Sequence, residues 1–467
     1  MLEIPEAEVR ARLEAESPWW SAEWPSGQPS GLRPRAYLPG FLSLVRDVSV
    51  RRAVVLLGPR RVGKTVLIHH AIGALLQDGV PARRIGYLSV DLPLYTDLSL
   101  ERLLALSEQA TGGALGWIFF DEIQYLRDWE VHLKRLVDDR PDLKIVVSGS
   151  AAAALKLKAR ESGAGRFTDF LLPPLTFAEY LDLTGVAPPP SRTGPGGSAV
   201  VGDVAALNAA FVEYANFGGY PEAALNPAIR ANPGRFIKSD IIDKVLLRDL
   251  PQLYGIGDIQ ELNRLFTSLA WNTSQEISLD DLSKRSGVAK NTIKKYLEYL
   301  EAAFLIRVVH RIDRSARHFQ RAGTFKVFLT NPSLRSALFA PVGPDDEAMG
   351  ALAETAVVAQ WFHDPGPIHY ARWDKAEVDL VRLGGDGRPS GAAEVKWSDR
   401  YVAAPDQLKG LIRFARENGL AAVTATTRSQ TAERAAAGVT IRMIPTSVYA
   451  WSVGEAILAG GPGTVTP

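Results

Sequence analysis

Short apolar runs recur through the first part of the chain, at Ala53–Leu57, Ile85–Val90, Trp117–Phe120, Lys144–Val147 and Phe170–Leu172. Stretches of helical periodicity separate them. Unbroken apolar runs of this length, alternating with helices, predict parallel strands buried on both faces of an α/β sheet. Upstream, residues 1–45 predict a short helix and an extended arm, with Trp19, Trp20 and Trp24 packing the arm onto the sheet domain. Residues 185–202 are too rich in Pro and Gly to sustain a helix and predict a loop or linker. Residues 203–255 predict helices, broken at Gly218-Gly219 and Pro221. From 256 to 312 the pattern is helix, turn, helix, strand. Residues 345–450 open with a helix, continue as two alternating strands and end in a long helix, and the tail from Gly460 predicts disorder.

Composition narrows the classes. At about 150 residues per domain, 467 residues suggest roughly three domains. Lys plus Arg number 53 against 52 Asp plus Glu, a net charge of +1, so any nucleic-acid surface must be local. The chain has no Cys, which excludes disulfides, thiolate zinc sites, iron–sulfur clusters and cysteine nucleophiles. The polar N-terminus (MLEIPEAEVRARLEAE) does not resemble a secretion signal. No uninterrupted apolar stretch reaches the roughly 18 residues of a membrane span. The expectation is a cytoplasmic protein without a membrane partner.

The first apolar run leads into Gly58-Pro59-Arg60-Arg61-Val62-Gly63-Lys64-Thr65 and a helical stretch beginning at Val66. This is G-x-x-x-x-G-K-T between a strand and a helix, the pattern of a phosphate-binding loop. The glycines let backbone N–H groups turn inward around a phosphate. The helix start adds its positive dipole end. Lys64 is expected on the β- and γ-phosphates of ATP, and Thr65 on Mg²⁺. The third run ends at Asp121-Glu122, where Asp121 would hold the Mg²⁺ and Glu122 would polarise the attacking water. The fourth ends at Ser148-Gly149-Ser150, where either serine would bind the γ-phosphate or simply cap a helix.

These residues resemble the AAA-type branch of P-loop ATPases. The resemblance implies an arginine, between the serine strand and the last core strand, that reaches a neighbouring subunit's site. Arg160 and Arg166 lie in that interval, with Arg166 preferred.

Downstream, Leu279–Arg285 and Lys290–Ala303 flank a turn at Ser286–Val288. On the second helix Ile293, Leu297 and Leu300 share one face, while Lys290, Asn291, Lys294 and Lys295 are left for DNA. The strand that follows is what a winged helix would have. Eleven Lys and Arg against three acidic residues lie between Lys284 and Lys326, and Arg311, Arg314, Arg317 and Arg321 would grip phosphates.

In the C-terminal region Glu377–Val381 and Ala392–Trp397 alternate like the arms of a hairpin that brings Asp379 beside Glu394 and Lys396. Two close carboxylates bind Mg²⁺ or Mn²⁺, and a lysine beside them would orient water. This resembles PD-(D/E)xK restriction-endonuclease-like nucleases, with Asp379, Glu394 and Lys396 on the motif positions. Glu354 matches an extra acidic residue of some members; Val378 stands where the motif has proline. The whole chain resembles prokaryotic AAA-type ATP-binding proteins with a winged helix and a C-terminal domain of unknown function. Its marks include F-F-D-E-I-Q, F-G-G-Y-P-E and E-V-D…E-V-K. The expected fold class is α/β. It comprises an arm (1–45), an AAA-type P-loop core with a parallel sheet (46–182), a linker and helical lid (183–255), a winged helix (256–330), an α/β nuclease-like domain (331–455) and a tail (456–467). The resemblance implies ATP hydrolysis, action on DNA in repair, recombination or defence, and a homo-oligomeric ring such as a hexamer. The alternative is an ATP-dependent switch or scaffold for protein partners, with the nuclease-like domain inactive.

Overall fold

The computed structural model describes residues 6–21, 32–95, 97–150, 165–186, 191–193, 199–316, 323–364 and 366–460. The chain divides into two compact units, Met1–Pro173 and Pro174–Pro467.

In the first unit, helices α1 (Glu6–Glu16) and α2 (Leu38–Arg46) precede strand β1 (Ala53–Leu57). Then come α3 (Lys64–Gln77), β2 (Ile85–Ser89), α4 (Leu100–Thr111), β3 (Trp117–Asp121), α5 (Trp129–Asp139), β4 (Lys144–Gly149) and β5 (Phe167–Leu171). The strands make one parallel sheet in the order β2-β3-β4-β1-β5. Helices cover both faces of such a sheet, so its inner strands carry no polar face. Every residue of β1 and β4 is accordingly buried. Four of the apolar runs match strands to within two residues. The fifth differs: β5 starts at Phe167, not Phe170, because it is an edge strand with Thr168 and Asp169 half or fully exposed.

The opposite edge, β2, is covered by the N-terminal arm. Trp19 and Trp20 are buried, and both indole N–H groups donate to the Ile85 carbonyl, at 2.9 and 2.7 Å. Ser17 Oγ donates to the Tyr87 carbonyl at 3.1 Å and accepts from the Tyr87 N–H at 3.2 Å. Side chains thus satisfy an edge that would otherwise offer unpaired backbone groups. Trp24 lies outside the described residues.

The second unit begins with α6 (Phe177–Thr184), started by a Thr176–Glu179 capping box. Within the Pro- and Gly-rich segment, β6 (Ser191–Thr193) and β7 (Ala199–Val201) pair as a small antiparallel ladder where the sequence suggested only a loop. Helices α7 (Val204–Phe217) and α8 (Ile259–Trp271) follow, then β8 (Glu276–Ser278), α9 (Leu279–Ser286), α10 (Lys290–Ala302), β9 (Ile306–Ile312) and β10 (Thr324–Leu329). The main elements of the remainder are α11 (Met349–Trp361), β11 (Ile368–Trp373), β12 (Ala376–Leu383), β13 (Pro389–Glu394), α12 (Lys409–Glu417), β14 (Ala422–Thr427), β15 (Ala432–Ala436), β16 (Val439–Pro445) and α13 (Thr446–Gly460).

Nine of these strands form one mixed sheet, in the order β15-β16-β14-β13-β12-β11-β9-β10-β8. Its pivotal pairing is β9 with β11, parallel, with His310, Arg311 and Ile312 opposite His369, Tyr370 and Ala371. The sheet is therefore continuous across residue 330, where the sequence suggested a domain boundary. The outer edge of a two-stranded wing would present unpaired N–H and C=O groups, and β11 takes them. Helices α11 and α13 bury one face of the sheet through Leu352, Val357, Trp361 and Val453. Helix α12 buries the other through Leu411, Phe414 and Ala415. No described helix is long and apolar enough to cross a membrane.

Candidate functional site

β1 ends at Leu57, and the chain turns through Gly58–Gly63 into α3. Gly58 has no room for a side chain: a Cβ there would stand 2.3 Å from the Leu172 carbonyl oxygen. Gly63 and Arg61 adopt left-handed backbone, with φ of 93° and 64°, which turns the loop sharply before the helix. Val62 is buried, and its carbonyl accepts from Arg35 Nη1 at 2.7 Å, while Arg35 Nη2 donates to the Pro173 carbonyl at 3.1 Å. Buried Arg35 thereby braces the loop. Arg60 Nη2 donates to Tyr125 Oη at 3.2 Å. Lys64 is 5% exposed, and its Nζ donates to the Gly58 and Pro59 carbonyls at 3.1 and 2.9 Å. An ammonium held on the loop's own backbone, beside the first turn of a helix whose dipole is positive at that end, suits a phosphate chain.

The tip of β3 lies next to this turn. Thr65 Oγ1 donates to Asp121 Oδ2 at 2.6 Å, and Tyr87 Oη donates to the same oxygen at 3.1 Å. Ser148 Oγ donates to Asp121 Oδ1. Asp121 is buried, 1% exposed, and each of these side-chain partners is a neutral hydroxyl. Burial, then the charge of Asp121, pushes the Tyr87 hydroxyl far above its ordinary pKa, so it stays a donor. His69 lies 4.8 Å from the Tyr87 ring, and burial lowers its pKa, so it stays neutral. A hydroxyl and a buried carboxylate meeting at the start of α3 form the donor set that Mg²⁺ takes beside a nucleotide. Thr65 and Asp121 would hold the ion.

Glu122 has left-handed backbone, φ 58°, a conformation that costs a non-glycine residue about 1 kcal/mol or more. Its N–H donates to Asp121 Oδ1 and Ser148 Oγ, both at 3.2 Å, which fixes the turn. Gln124 Nε2 donates to Glu122 Oε2, and Gln124 Oε1 accepts from the Ser150 N–H at 3.2 Å. One amide therefore links Glu122 to the end of β4. Ser150 Oγ is buried and has no hydrogen-bond partner among the described residues. The site assembles every residue of the sequence motif in one place; His69 and Gln124 join it from the adjoining α3 and F-F-D-E-I-Q segments, and Arg35 and Tyr87 from elsewhere, with no local signal to mark them.

Arg160 lies outside the described residues. Arg166 precedes β5, its carbonyl accepting from the Ala53 N–H at 2.9 Å. It therefore sits at the start of β1, the end of the sheet remote from the loop that follows Leu57. Its Nε donates to both Asp138 oxygens, at 2.8 and 3.0 Å. From there it cannot reach the phosphate loop of its own chain.

In the second unit, Asp379 on β12, Glu394 at the end of β13 and Lys396 just beyond it come together as the hairpin pattern indicated, and Glu354 on α11 lies in the same cluster. The surprise is Lys326 on β10. Counted from sequence among basic surface residues, it is 2% exposed. Its Nζ lies 2.8 Å from Glu354 Oε1, 2.5 Å from Glu377 Oε1 and 3.4 Å from Asp379 Oδ1. Lys396 Nζ lies 2.8 Å from Glu394 Oε1 and 3.3 Å from Asp379 Oδ2, which also accepts from the Val395 N–H at 2.9 Å. Burial pushes Glu394 up to about 8 and Glu354 up to about 7, with the Asp379 charge adding to both. For Asp379 burial is outweighed by Lys396, Lys326 and the Val395 N–H, and its carboxyl is held below its ordinary range. Among the described residues, no group of three or more His, Cys, Asp and Glu is arranged to hold a metal ion. The Mg²⁺ or Mn²⁺ expected at Asp379 and Glu394 does not fit this arrangement, because ammonium groups already stand between the carboxylates.

On α10, Ile293, Leu297 and Leu300 are buried, while Asn291, Lys294 and Lys295 are exposed. Lys290 pairs with Asp280 on α9. Arg311 is only partly exposed, its Nε donating to the Arg372 carbonyl at 3.0 Å, and Arg314 lies 3.8 Å from Glu417. Arg317 and Arg321 lie outside the described residues. The basic run is thus less exposed than its count suggests: Lys326 is buried among carboxylates, and Arg307 stacks 4.9 Å over the Phe362 ring, its pKa lowered by burial.

The class that the first unit defines is the P-loop nucleotide-binding domain. Residues 50–181 match the family model described as an AAA domain, and residues 208–345 match a domain of unknown function, DUF8612. The second match runs from α7 to the loop before α11 and stops short of the strands that carry Asp379 and Glu394. An uncharacterized protein of Haemophilus influenzae is 25% identical over 342 residues, 70% of this chain and 78% of that one. An uncharacterized protein of Mycobacterium tuberculosis is 29% identical over 352 residues, 72% of this chain and 69% of that one. Among solved structures, the Aeropyrum pernix ORC1 protein in complex with DNA aligns with 15% identity and a TM-score of 0.32, over 69% of this chain and 96% of that one. The Saccharomyces cerevisiae Hsp104–casein complex aligns with 18% identity and a TM-score of 0.30, over 58% of this chain and 50% of that one.

Proposed function

We propose that this protein is an ATPase that uses nucleotide hydrolysis to act on DNA, in repair, recombination or defence. The observation that carries the reading is the 2.6 Å bond between Thr65 and buried Asp121, beside Lys64 at the start of α3. Lys64 would neutralise the β- and γ-phosphates, and the loop amides and α3 would hold them. Bound Mg²⁺ would offset charge on the phosphoryl oxygens. Glu122 would orient the attacking water, and Ser148 or Ser150 would report the γ-phosphate. Arg166, remote from its own loop, would act on a neighbouring subunit in a homo-oligomeric ring such as a hexamer.

The order α8, β8, α9, α10, β9, β10 supports a winged helix, with Lys290, Asn291, Lys294 and Lys295 turned to a groove and Arg311 and Arg314 near its phosphates. The mixed sheet with Asp379, Glu394 and Lys396 supports a nuclease-like fold for 331–455. The test is ATP turnover with and without a panel of duplex, branched and single-stranded DNA. Stimulation by one of them supports the reading, and turnover and binding indifferent to all of them contradict it. Arg166→Ala should slow turnover and spare nucleotide binding.

One observation favours a second reading for the C-terminal half: the lysine-filled carboxylate cluster fits an inactive nuclease-like module on an ATP-dependent switch or scaffold. That reading predicts slow turnover, no DNA affinity and a change of assembly with nucleotide.

A further inference from the structure

Lys326 reaches the carboxylate cluster from outside the hairpin that forms it. It stands on β10, which pairs antiparallel with β9 and with β8, and its Nζ comes within 3.4 Å of oxygens from Glu354, Glu377 and Asp379. An ammonium has three N–H donors; Lys326 donates to Glu354 and Asp379 and is ion-paired with Glu377. The Tyr370 ring centroid lies 5.5 Å away, and the side chain is 3% exposed, so water does not compete for those bonds. Asp379 is equally filled: one oxygen faces Lys326, the other Lys396 and the Val395 N–H. Glu394 Oε2 is buried with no hydrogen-bond partner among the described residues.

We propose that Lys326 is the resident cation of this cluster: it occupies the place a divalent metal would take and makes the site a lock between β10 and the β12–β13 hairpin. The inference deepens the nuclease-like reading and rests on it. A divalent ion binds carboxylate oxygens at roughly 2.0–2.6 Å. Ligated to Asp379 and Glu354, it would lie against the Lys326 ammonium, and the like charges exclude one another. The cation arrives on a strand bonded on both edges, which fixes the backbone from which its side chain reaches the cluster. Removing its charge leaves Glu354, Glu377 and Asp379 facing one another, with Glu394 adding an unpartnered oxygen. That is a divalent-cation site made latent by one lysine.

The test titrates Mn²⁺ into the full-length protein without nucleotide, reading free Mn²⁺ by electron paramagnetic resonance. Wild type, Asp379→Asn, Lys326→Gln and the double variant are compared, each checked for a cooperative melt. Wild type and Asp379→Asn should bind Mn²⁺ alike. Lys326→Gln should gain one site, at least 10-fold tighter than any in wild type, and the double variant should lose it. Mn²⁺ binding by wild type that disappears in Asp379→Asn overturns the proposal, as does a folded Lys326→Gln that gains nothing. Should Lys326→Gln not fold without metal, wild type against Asp379→Asn still decides whether the cluster excludes the ion. A Lys326→Gln protein that gains Mn²⁺ yet cuts no DNA leaves the lock standing and removes the reading of the C-terminal half as an active nuclease.

Discussion

Asp121 and Asp379 are both buried carboxylates at the heart of a constellation, and their partners differ in kind. Asp121 accepts from the hydroxyls of Thr65, Tyr87 and Ser148. Asp379 faces the ammonium groups of Lys326 and Lys396. Neutral donors hold a carboxylate in place and leave its charge to a cation that arrives with a ligand. Ammonium donors cancel that charge within the fold. The lysines differ too. Lys64 rests on the carbonyls of Gly58 and Pro59, which do not neutralise it, whereas Lys326 is ringed by three acidic groups. The first arrangement keeps its charges for a ligand, and the second uses them to hold strands together.

Truncating each lysine separates the two cases. Lys326→Ala leaves buried Asp379 and the partly buried Glu354 and Glu377 without their cation and should cost about 3–5 kcal/mol of stability, read as a lower denaturant midpoint. A loss below about 1 kcal/mol would mean that the cluster is no lock. Lys64→Ala should scarcely move that midpoint and should weaken nucleotide affinity about 100-fold, the loss of one charge-assisted phosphate contact worth about 3 kcal/mol. Unchanged affinity would show that the ammonium does not meet the phosphates. Gly58→Ala comes next. Its Cβ would press on the Leu172 carbonyl at 2.3 Å, and the displaced loop should cost about 1–3 kcal/mol and reduce nucleotide affinity. A variant with wild-type melting and binding would show that the loop has slack.

The smallest effect is in pH. Glu354 and Glu394 titrate near 7 and 8 when folded, against an ordinary 4.5. Folding raises both values, so their contribution to stability is full below pH 4.5 and is lost as pH rises through 7 and 8. The melting temperature should fall between pH 6 and pH 9, and Glu394→Gln should flatten the slope. An equal slope in that variant would place the titration elsewhere.

The parts of this molecule that sequence exposes are those whose neighbours are local or whose burial is two-sided. β1 to β4 each carry an apolar run, ended by Asp121 in β3 and by Ser148 in β4, because helices cover both faces of such a sheet, and the phosphate loop is contiguous by construction. Helix α10 is legible from the period of Ile293, Leu297 and Leu300. β11 (IHYARW) and β14 (AVTATT) are not legible, since His369, Arg372 and the threonines break the apolar alternation. Arg35 and Tyr87 reach the phosphate site over long sequence separations and carry no motif. Lys326 was the most misleading, because a count of charges treats every lysine as surface. Its place in the strand TFKVFL, with Phe325 before it and Val327 after it, was the one local sign of burial.

The central claim is that Gly58–Thr65 and Asp121 form a cradle for a magnesium-bound nucleoside triphosphate. Equilibrium binding of labelled ATP to the purified full-length chain, with excess Mg²⁺ and with Lys64→Ala as the control, tests it directly. The account predicts one saturable site per chain in wild type and none at the same concentrations in Lys64→Ala. Wild-type protein that folds cooperatively yet retains no nucleotide would contradict it.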